Sequence, residues 1–179
     1  MADIIIYLQN DQFSASRQKE ITGLLEKGVF EIVKLIDIPQ GVRLFNSRFV
    51  DEVKNKGTDR AFEKSRLVIQ AYNDLEKELV LTQSPTIQRV SQRLILYIAA
   101  IKLPDGRLYL RDISQAYVQS TINLNREFYV RPPYELSREL GIEEDSILKV
   151  IKPLYGVPEA GNHWFKTYHS HHVDQLQMD

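Results

Sequence analysis

The chain has 179 residues, 43% hydrophobic and 26% charged, the composition of one ordinary globular domain; a disordered or fibrous chain is excluded. A formal net charge of -1 excludes nucleic-acid binding by bulk electrostatics, because neutralising phosphate takes clustered Lys and Arg, so any such binding is local. The longest apolar run, Leu94 to Ile101, falls far short of the roughly 20 residues of a membrane span, the start at Met1 to Tyr7 lacks the marks of a secretory signal, and the absence of Cys removes disulfides and thiolate metal sites and suits a reducing compartment.

In chain order, Ser14 or Ser16 is placed to cap a helix whose apolar positions Ile21, Leu24 and Leu25 share one face, with Gly28 as its stop. Val29 to Ile36 is rich in β-branched and aromatic residues and ends at the turn Pro39-Gln40-Gly41, so it reads as a strand. A second strand is expected from Arg43 to Val53. The polar loop Lys54 to Asp59 then leads to a third near Arg66 to Tyr72, where Leu67, Ile69 and Ala71 alternate with Arg66, Val68 and Gln70. Together these strands predict a meander with a long basic tip. Along it lie Arg43, Arg48, Lys54, Lys56, Arg60, Lys64 and Arg66, interleaved with Asp51, Glu52, Asp59 and Glu63; by charge alone this is a solvated hairpin.

Ser84 and Thr86 flank Pro85 at the predicted start of a helix with the apolar stripe Ile87, Val90, Leu94, Ile98 and Ile101. After the turn Leu103 to Gly106, Arg107 to Ile113 alternates as a strand does and contains Asp112 near its end. Glu127 to Arg131 and Ile147 to Lys152 are further strands, separated by Pro132-Pro133 and a short helical piece at Glu135 to Leu140. A last helix is expected from Pro158 to about Gln175. Glu143-Glu144-Asp145 reads as a solvated loop or helix cap. His163, His169, His171 and His172 gather near the C-terminus without the clear spacing of a zinc site, and a polar tail is the alternative.

Four segments in order carry a resemblance: Gly28-Val29-Phe30-Glu31-Ile32-Val33, Glu63-Lys64-Ser65-Arg66-Leu67-Val68, Leu110-Arg111-Asp112-Ile113-Ser114-Gln115-Ala116-Tyr117, and Leu154-Tyr155-Gly156-Val157-Pro158-Glu159-Ala160. With the connecting pieces Ser84-Pro85-Thr86 and Phe128 to Pro133, they resemble the copia-type retrotransposon reverse transcriptases, in wording close to elements of filamentous fungi. The resemblance covers residues 14–179, read as a partial reverse transcriptase domain, with 1–13 as a short N-terminal extension. It implies an α+β fold: the fingers and partial palm of a right-hand polymerase, with Arg107 to Ile113 as a palm strand.

The resemblance also implies site residues. Nucleotide addition is an in-line phosphoryl transfer served by two divalent ions held by carboxylates. Asp112 matches the family's first metal-binding aspartate and Ile113 the residue that offers a backbone carbonyl, toward Mg²⁺ or Mn²⁺. Tyr117 stands where the family carries an aromatic residue beneath the incoming sugar. Lys64 and Arg66 match the basic pair that grips the triphosphate of the incoming dNTP, and strand alternation puts both on one face. Taken singly, these are a strand-end Asp capping a helix, a core Tyr and two surface cations.

Two departures bear on function. Glu159 stands where the family commonly has Gln, and Gly161-Asn162 replace Pro-Arg; a carboxylate there would repel phosphate, so a template-side role for Glu159 is in doubt, and Trp164 reads as a core anchor. The family's Tyr-x-Asp-Asp motif is absent and no Asp-Asp pair occurs in the sequence, so the expectation is a fragment inactive alone. Its partners in the intact enzyme would be an RNA or DNA template-primer and dNTP, with no membrane and an intracellular location, cytoplasm or nucleus. The alternative is a non-catalytic remnant that binds nucleic acid or another chain. An unfinished palm sheet would expose an edge and apolar surface, and self-association is expected through it.

Overall fold

The computed structural model describes residues 11–102, 107–109 and 112–177. Helix α1 (Ser14–Glu26) follows a short 3-10 turn, Asp11–Phe13. Neither serine caps it: Phe13 holds the cap position, and Ser16 instead donates to the Phe13 carbonyl at 3.1 Å and meets the Ser65 hydroxyl at 2.6 Å. Ile21 and Leu24 are buried as the periodicity predicts, whereas Leu25 is 43% exposed, and the third buried residue of the helix is Glu20. Gly28, in the left-handed region, ends the helix and lets the Val29 N–H reach back to the Leu24 carbonyl.

The strands are β1 (Phe30–Lys34), β2 (Leu44–Lys54), β3 (Phe62–Ile69), β4 (Tyr129–Arg131) and β5 (Ser146–Val150), in the sheet order β1-β5-β4-β2-β3. β2 and β3 form the expected antiparallel hairpin, but the predicted meander does not close. β1 pairs with β5, and β4 lies parallel to β2 between the two halves. The reason is visible in the core. Phe45 of β2 stacks on Phe128, just before β4, with ring centroids 4.4 Å apart, and Leu148 and Val150 of β5 complete an apolar layer with Val130, Leu67 and Ile69. Burying these side chains, each worth about 1.5–3 kcal/mol, favours the long-range pairing over a local one. The sheet is thus mixed, and the fold is α+β.

Helix α2 (Arg89–Lys102) forms a few residues later than the Ser84-Pro85-Thr86 signal suggests, and it has no buried residue. Its apolar stripe faces no core among the described residues: Val90, Leu94, Ile98 and Ile101 are all about half exposed or more. Periodicity specifies a face that wants cover, not which partner supplies it. The turn Leu103 to Gly106 lies outside the described residues, as do Leu110 and Arg111. Of the expected palm strand, the described residues 107–109 and 112–113 are in no strand. A strand needs a hydrogen-bonded neighbour, and none of the five strands pairs with this segment.

The short helix α3 (Tyr134–Leu140) ends at Gly141 in the left-handed region. Helix α4 (Ala160–Ser170) runs on as a wider π turn, His171–Gln175, close to the predicted span. Trp164 is half-buried rather than a core anchor: its ring tilts against Tyr168, 5.7 Å away, and it lines an open groove.

Candidate functional site

Antiparallel register sorts the charges of the β2-β3 hairpin onto two faces. Lys64 stands opposite Glu52, Arg66 opposite Val50, Val68 opposite Arg48 and Phe62 opposite Lys54. Directly opposed residues share a face, so Arg48, Lys54, Lys64 and Arg66 lie together with Glu52 as their one carboxylate in this paired stretch. Glu52 bonds Lys54 at 2.7 Å and sits 3.8 Å from Arg66. The Lys54 hydrogen bond, chiefly, holds the Glu52 carboxyl below its usual range, with Arg66 and Lys64 adding to the effect. The other face packs on α1. There the Ser65 hydroxyl donates to Asp51 at 2.6 Å, and Arg17 pairs with Asp51 and with Glu135 of α3. What charge alone reads as a solvated hairpin therefore has one face on which Asp51 is paired with Arg17 and one with surplus positive charge.

β3 is an edge strand, and its outer amides are covered from two sides. The Leu67 N–H donates to the Glu20 carboxylate at 3.3 Å, and the Ile69 N–H donates to the Tyr155 carbonyl at 2.8 Å. Gly156 makes the second contact feasible. A Cβ there would lie 2.0 Å from the Ile69 carbonyl oxygen, and its φ of 91° suits only glycine. The Tyr155-Gly156 pair of the fourth segment is thus explained by backbone packing.

Where this edge opens, a cleft of about 720 Å³ is lined by Lys19, Glu20 and Gly23 of α1, Lys64 and Arg66 of β3, Ser114 and Gln115, and Tyr155, among others. That size suits a small-molecule ligand. The Arg66 guanidinium lies over the Tyr155 ring at 5.6 Å, and Tyr117 meets the same ring edge-on at 5.4 Å. Burial pushes the Tyr155 phenol above its usual pKa, and the Arg66 charge opposes the rise. Among the described residues Lys64 has no ion pair within 4.0 Å.

The site residues expected from sequence are thus partly assembled. Lys64 and Arg66 share a face and line the cleft; Tyr117 reaches it through Tyr155. Asp112 is exposed and precedes by two positions the first residue of its segment in the cleft, Ser114. Ile113 belongs to a different groove, with Trp164, Tyr168 and His172. A hard divalent ion wants about six oxygen ligands. The described residues contain no group of three or more His, Asp or Glu able to hold a metal, so Asp112 and Ile113 do not by themselves make up such a site.

Sequence reasoning missed Glu20 and Gln115. Glu20 interrupts the apolar stripe of α1 next to Ile21 and four residues before Leu24, and a carboxylate in a stripe was the available signal. The departures of the fourth segment are structural. Glu159 is 4% exposed and takes two hydrogen bonds from Arg126, at 2.7 and 2.9 Å, while the same guanidinium reaches Asp74. Its charge is thereby neutralised rather than presented to a phosphate. Asn162 is buried and donates to the Gln83 carbonyl at 3.1 Å. His163 is buried apart from the exposed His169 and His171, its Nδ1 unpartnered, and burial lowers its pKa.

The profile of the family described as reverse transcriptase (RNA-dependent DNA polymerase) matches residues 30–178. Among curated proteins, the transposon Ty1-NL2 Gag-Pol polyprotein of Saccharomyces cerevisiae is 27% identical over 175 residues, covering 96% of this chain and 9% of its own length. The truncated transposon Ty1-A Gag-Pol polyprotein of the same yeast is also 27% identical over 175 residues, and 14% of its length is covered. The chain thus spans about a tenth of the polyproteins it resembles. No solved structure matches it.

Proposed function

The chain belongs to the reverse transcriptase (RNA-dependent DNA polymerase) family, related to the Ty1/copia Gag-Pol polyproteins, and from that premise we propose that residues 14–179 form the fingers and the first part of the palm of an RNA-directed DNA polymerase. The cleft beside β3 receives the triphosphate of an incoming dNTP, gripped by Lys64 and Arg66, with Tyr117 toward the sugar. One observation carries this reading: the hairpin register puts Arg48, Lys54, Lys64 and Arg66 on a face with Glu52 as its one carboxylate, and Lys64 and Arg66 of that face line a nucleotide-sized cleft to which Glu20, Glu26 and Glu63 also contribute. Phosphate oxygens complete such a surplus with charge-assisted hydrogen bonds, each worth about 1.5–3 kcal/mol. A template-primer would lie alongside, held locally rather than by net charge.

The family uses divalent metal ions, and Asp112 is the residue that would lend Mg²⁺ or Mn²⁺ a carboxylate. The described residues contain no group of three or more His, Asp or Glu that could complete that site, and without the Tyr-x-Asp-Asp motif these residues alone are expected not to extend a primer. Photo-crosslinking of labelled dTTP followed by peptide mapping tests the cleft. Label on peptides 62–66, 114–117 or 155 supports it; label confined elsewhere sinks it. Primer extension that vanishes in Asp112→Asn would instead overturn the inactive-fragment reading.

A second reading, a module that binds another chain, is favoured by α2. Its exposed apolar residues Val90, Leu94, Ile98 and Ile101 lie on a helix, not on the unfinished sheet edge that the sequence suggests. Self-association through that face predicts a weight-average mass that rises with concentration in sedimentation and falls back in Leu94→Glu. Unchanged monomer in both would remove this reading.

A further inference from the structure

Gln115 occupies an unusual seat. Its φ is 51°, in the left-handed region that non-glycine residues rarely adopt and that needs surrounding contacts to hold it. Two such contacts come from α1. The Gln115 amide donates to the Glu20 carboxylate at 3.0 Å, and it lies against Gly23, where an added Cβ would come within 3.1 Å of the amide nitrogen. Glycine inside a helix is less favourable than alanine, and at Gly23 it leaves the room that the Gln115 amide occupies. Glu20, in turn, is buried and holds the β3 edge through the Leu67 N–H, one position beyond Arg66. One carboxylate therefore ties together α1, the strand that carries Lys64 and Arg66, and the turn between Asp112 and Tyr117.

From this geometry we infer that Gln115 is a positioning residue. Clamped by Glu20 and seated on Gly23, it docks the Ser114–Gln119 turn onto α1, so that the turn keeps a fixed distance from Lys64 and Arg66 and closes one wall of the nucleotide cleft. The Glu20-Gln115 pair sets the cleft's shape without touching the triphosphate's charge. The inference rests on the proposed nucleotide role of the cleft for its functional half, and on Gln115's contacts alone for its structural half.

Gly23→Ala is the informative variant, because alanine favours the helix while its Cβ presses on the Gln115 amide, which must give by a few tenths of an ångström and so strains its bond to Glu20; Gln115→Ala removes the amide itself. Both are compared with wild type and Lys64→Ala by Mg²⁺-dTTP titration and by amide hydrogen exchange over residues 114–119. The expected result is a retained or raised melting temperature in Gly23→Ala and, in both variants, exchange in the turn at least about tenfold faster and dTTP affinity about tenfold weaker. A residue that merely supported the fold would move melting temperature and affinity together, which Gly23→Ala separates. Unchanged exchange in both variants overturns the anchor whatever the nucleotide does. Faster exchange with unchanged affinity, in a wild type that binds through Lys64, overturns the positioning role and leaves the cleft reading intact. A wild type that binds dTTP no better than Lys64→Ala overturns the cleft reading, and with it the positioning role.

Discussion

Arg126 and Arg66 are the same residue type put to opposite uses. Arg126 is 13% exposed at its side chain and is saturated: Glu159 takes two of its hydrogen bonds, Asp74 and Glu76 take others, and its plane covers the Phe128 ring at 5.0 Å. Its guanidinium pKa is raised, chiefly by the Glu159 hydrogen bonds. Arg66 is 28% exposed, its nearest carboxylate is 3.8 Å away and is already bonded to Lys54, and Lys64 beside it has less. A saturated cation is part of the fold; an unsaturated one on a rigid strand beside a cleft is available to a ligand. The count of charges on the hairpin is uninformative until register assigns each to a face.

The contrast breaks most visibly at Arg126. Arg126→Ala strands the buried Asp74 and Glu159 without a counter-charge and is expected to lower unfolding free energy by about 3–5 kcal/mol. Urea denaturation measures it, and a loss below about 1 kcal/mol would mean that the cluster is not held by its cation. Next comes Gly156→Ala. It collides with the Ile69 backbone and strains φ, so a loss on the order of 2–4 kcal/mol is expected, together with a shift in Tyr155 fluorescence as the ring leaves Arg66.

Asp51 gives the comparison a pH axis. Burial raises its pKa, but the hydrogen bonds from Arg17 and Ser65 and the Arg17 charge outweigh burial and hold it below the ordinary value. A folded-state pKa below the unfolded one contributes stability that is present above the unfolded pKa and lost as pH falls through the folded one. Asp51→Asn should therefore cost about 1–3 kcal/mol at pH 7 and converge on wild type at the acid end of the same titration. A constant gap down to pH 2 would show that the carboxylate's charge is not what matters. The smallest effect belongs to the cleft: Lys64→Ala, whose side chain has no ion pair among the described residues, should change stability by no more than about 0.5 kcal/mol in the same denaturation assay.

The local elements were legible in the sequence where pattern and packing agree. Ile21 and Leu24 mark α1, the alternation of Leu67 and Ile69 marks β3, and the Pro-bounded segment at 134–140 marks α3. Sheet order was not, because the insertion of β4 and β5 between β1 and β2 is decided by contacts such as Phe45 on Phe128, more than 80 residues apart in sequence. For the candidate site, the family's wording singled out Lys64 and Arg66, whose role remains the proposal, and their common face followed from strand alternation. Glu20 and Gln115 were not legible, since their meaning lies in a hydrogen bond between distant segments. Glu159 was misleading for the same reason: a carboxylate looks repulsive to phosphate until Arg126 is found against it.

The most direct test of the central claim is a titration of wild type and of the Lys64→Ala/Arg66→Ala double variant with Mg²⁺-dTTP, dTMP as control, at matched ionic strength. Wild type should bind the triphosphate and the double variant should bind it at least about a hundredfold more weakly, with dTMP hardly affected. Equal affinity of the two proteins for dTTP would contradict the assignment of this surplus charge to a nucleotide.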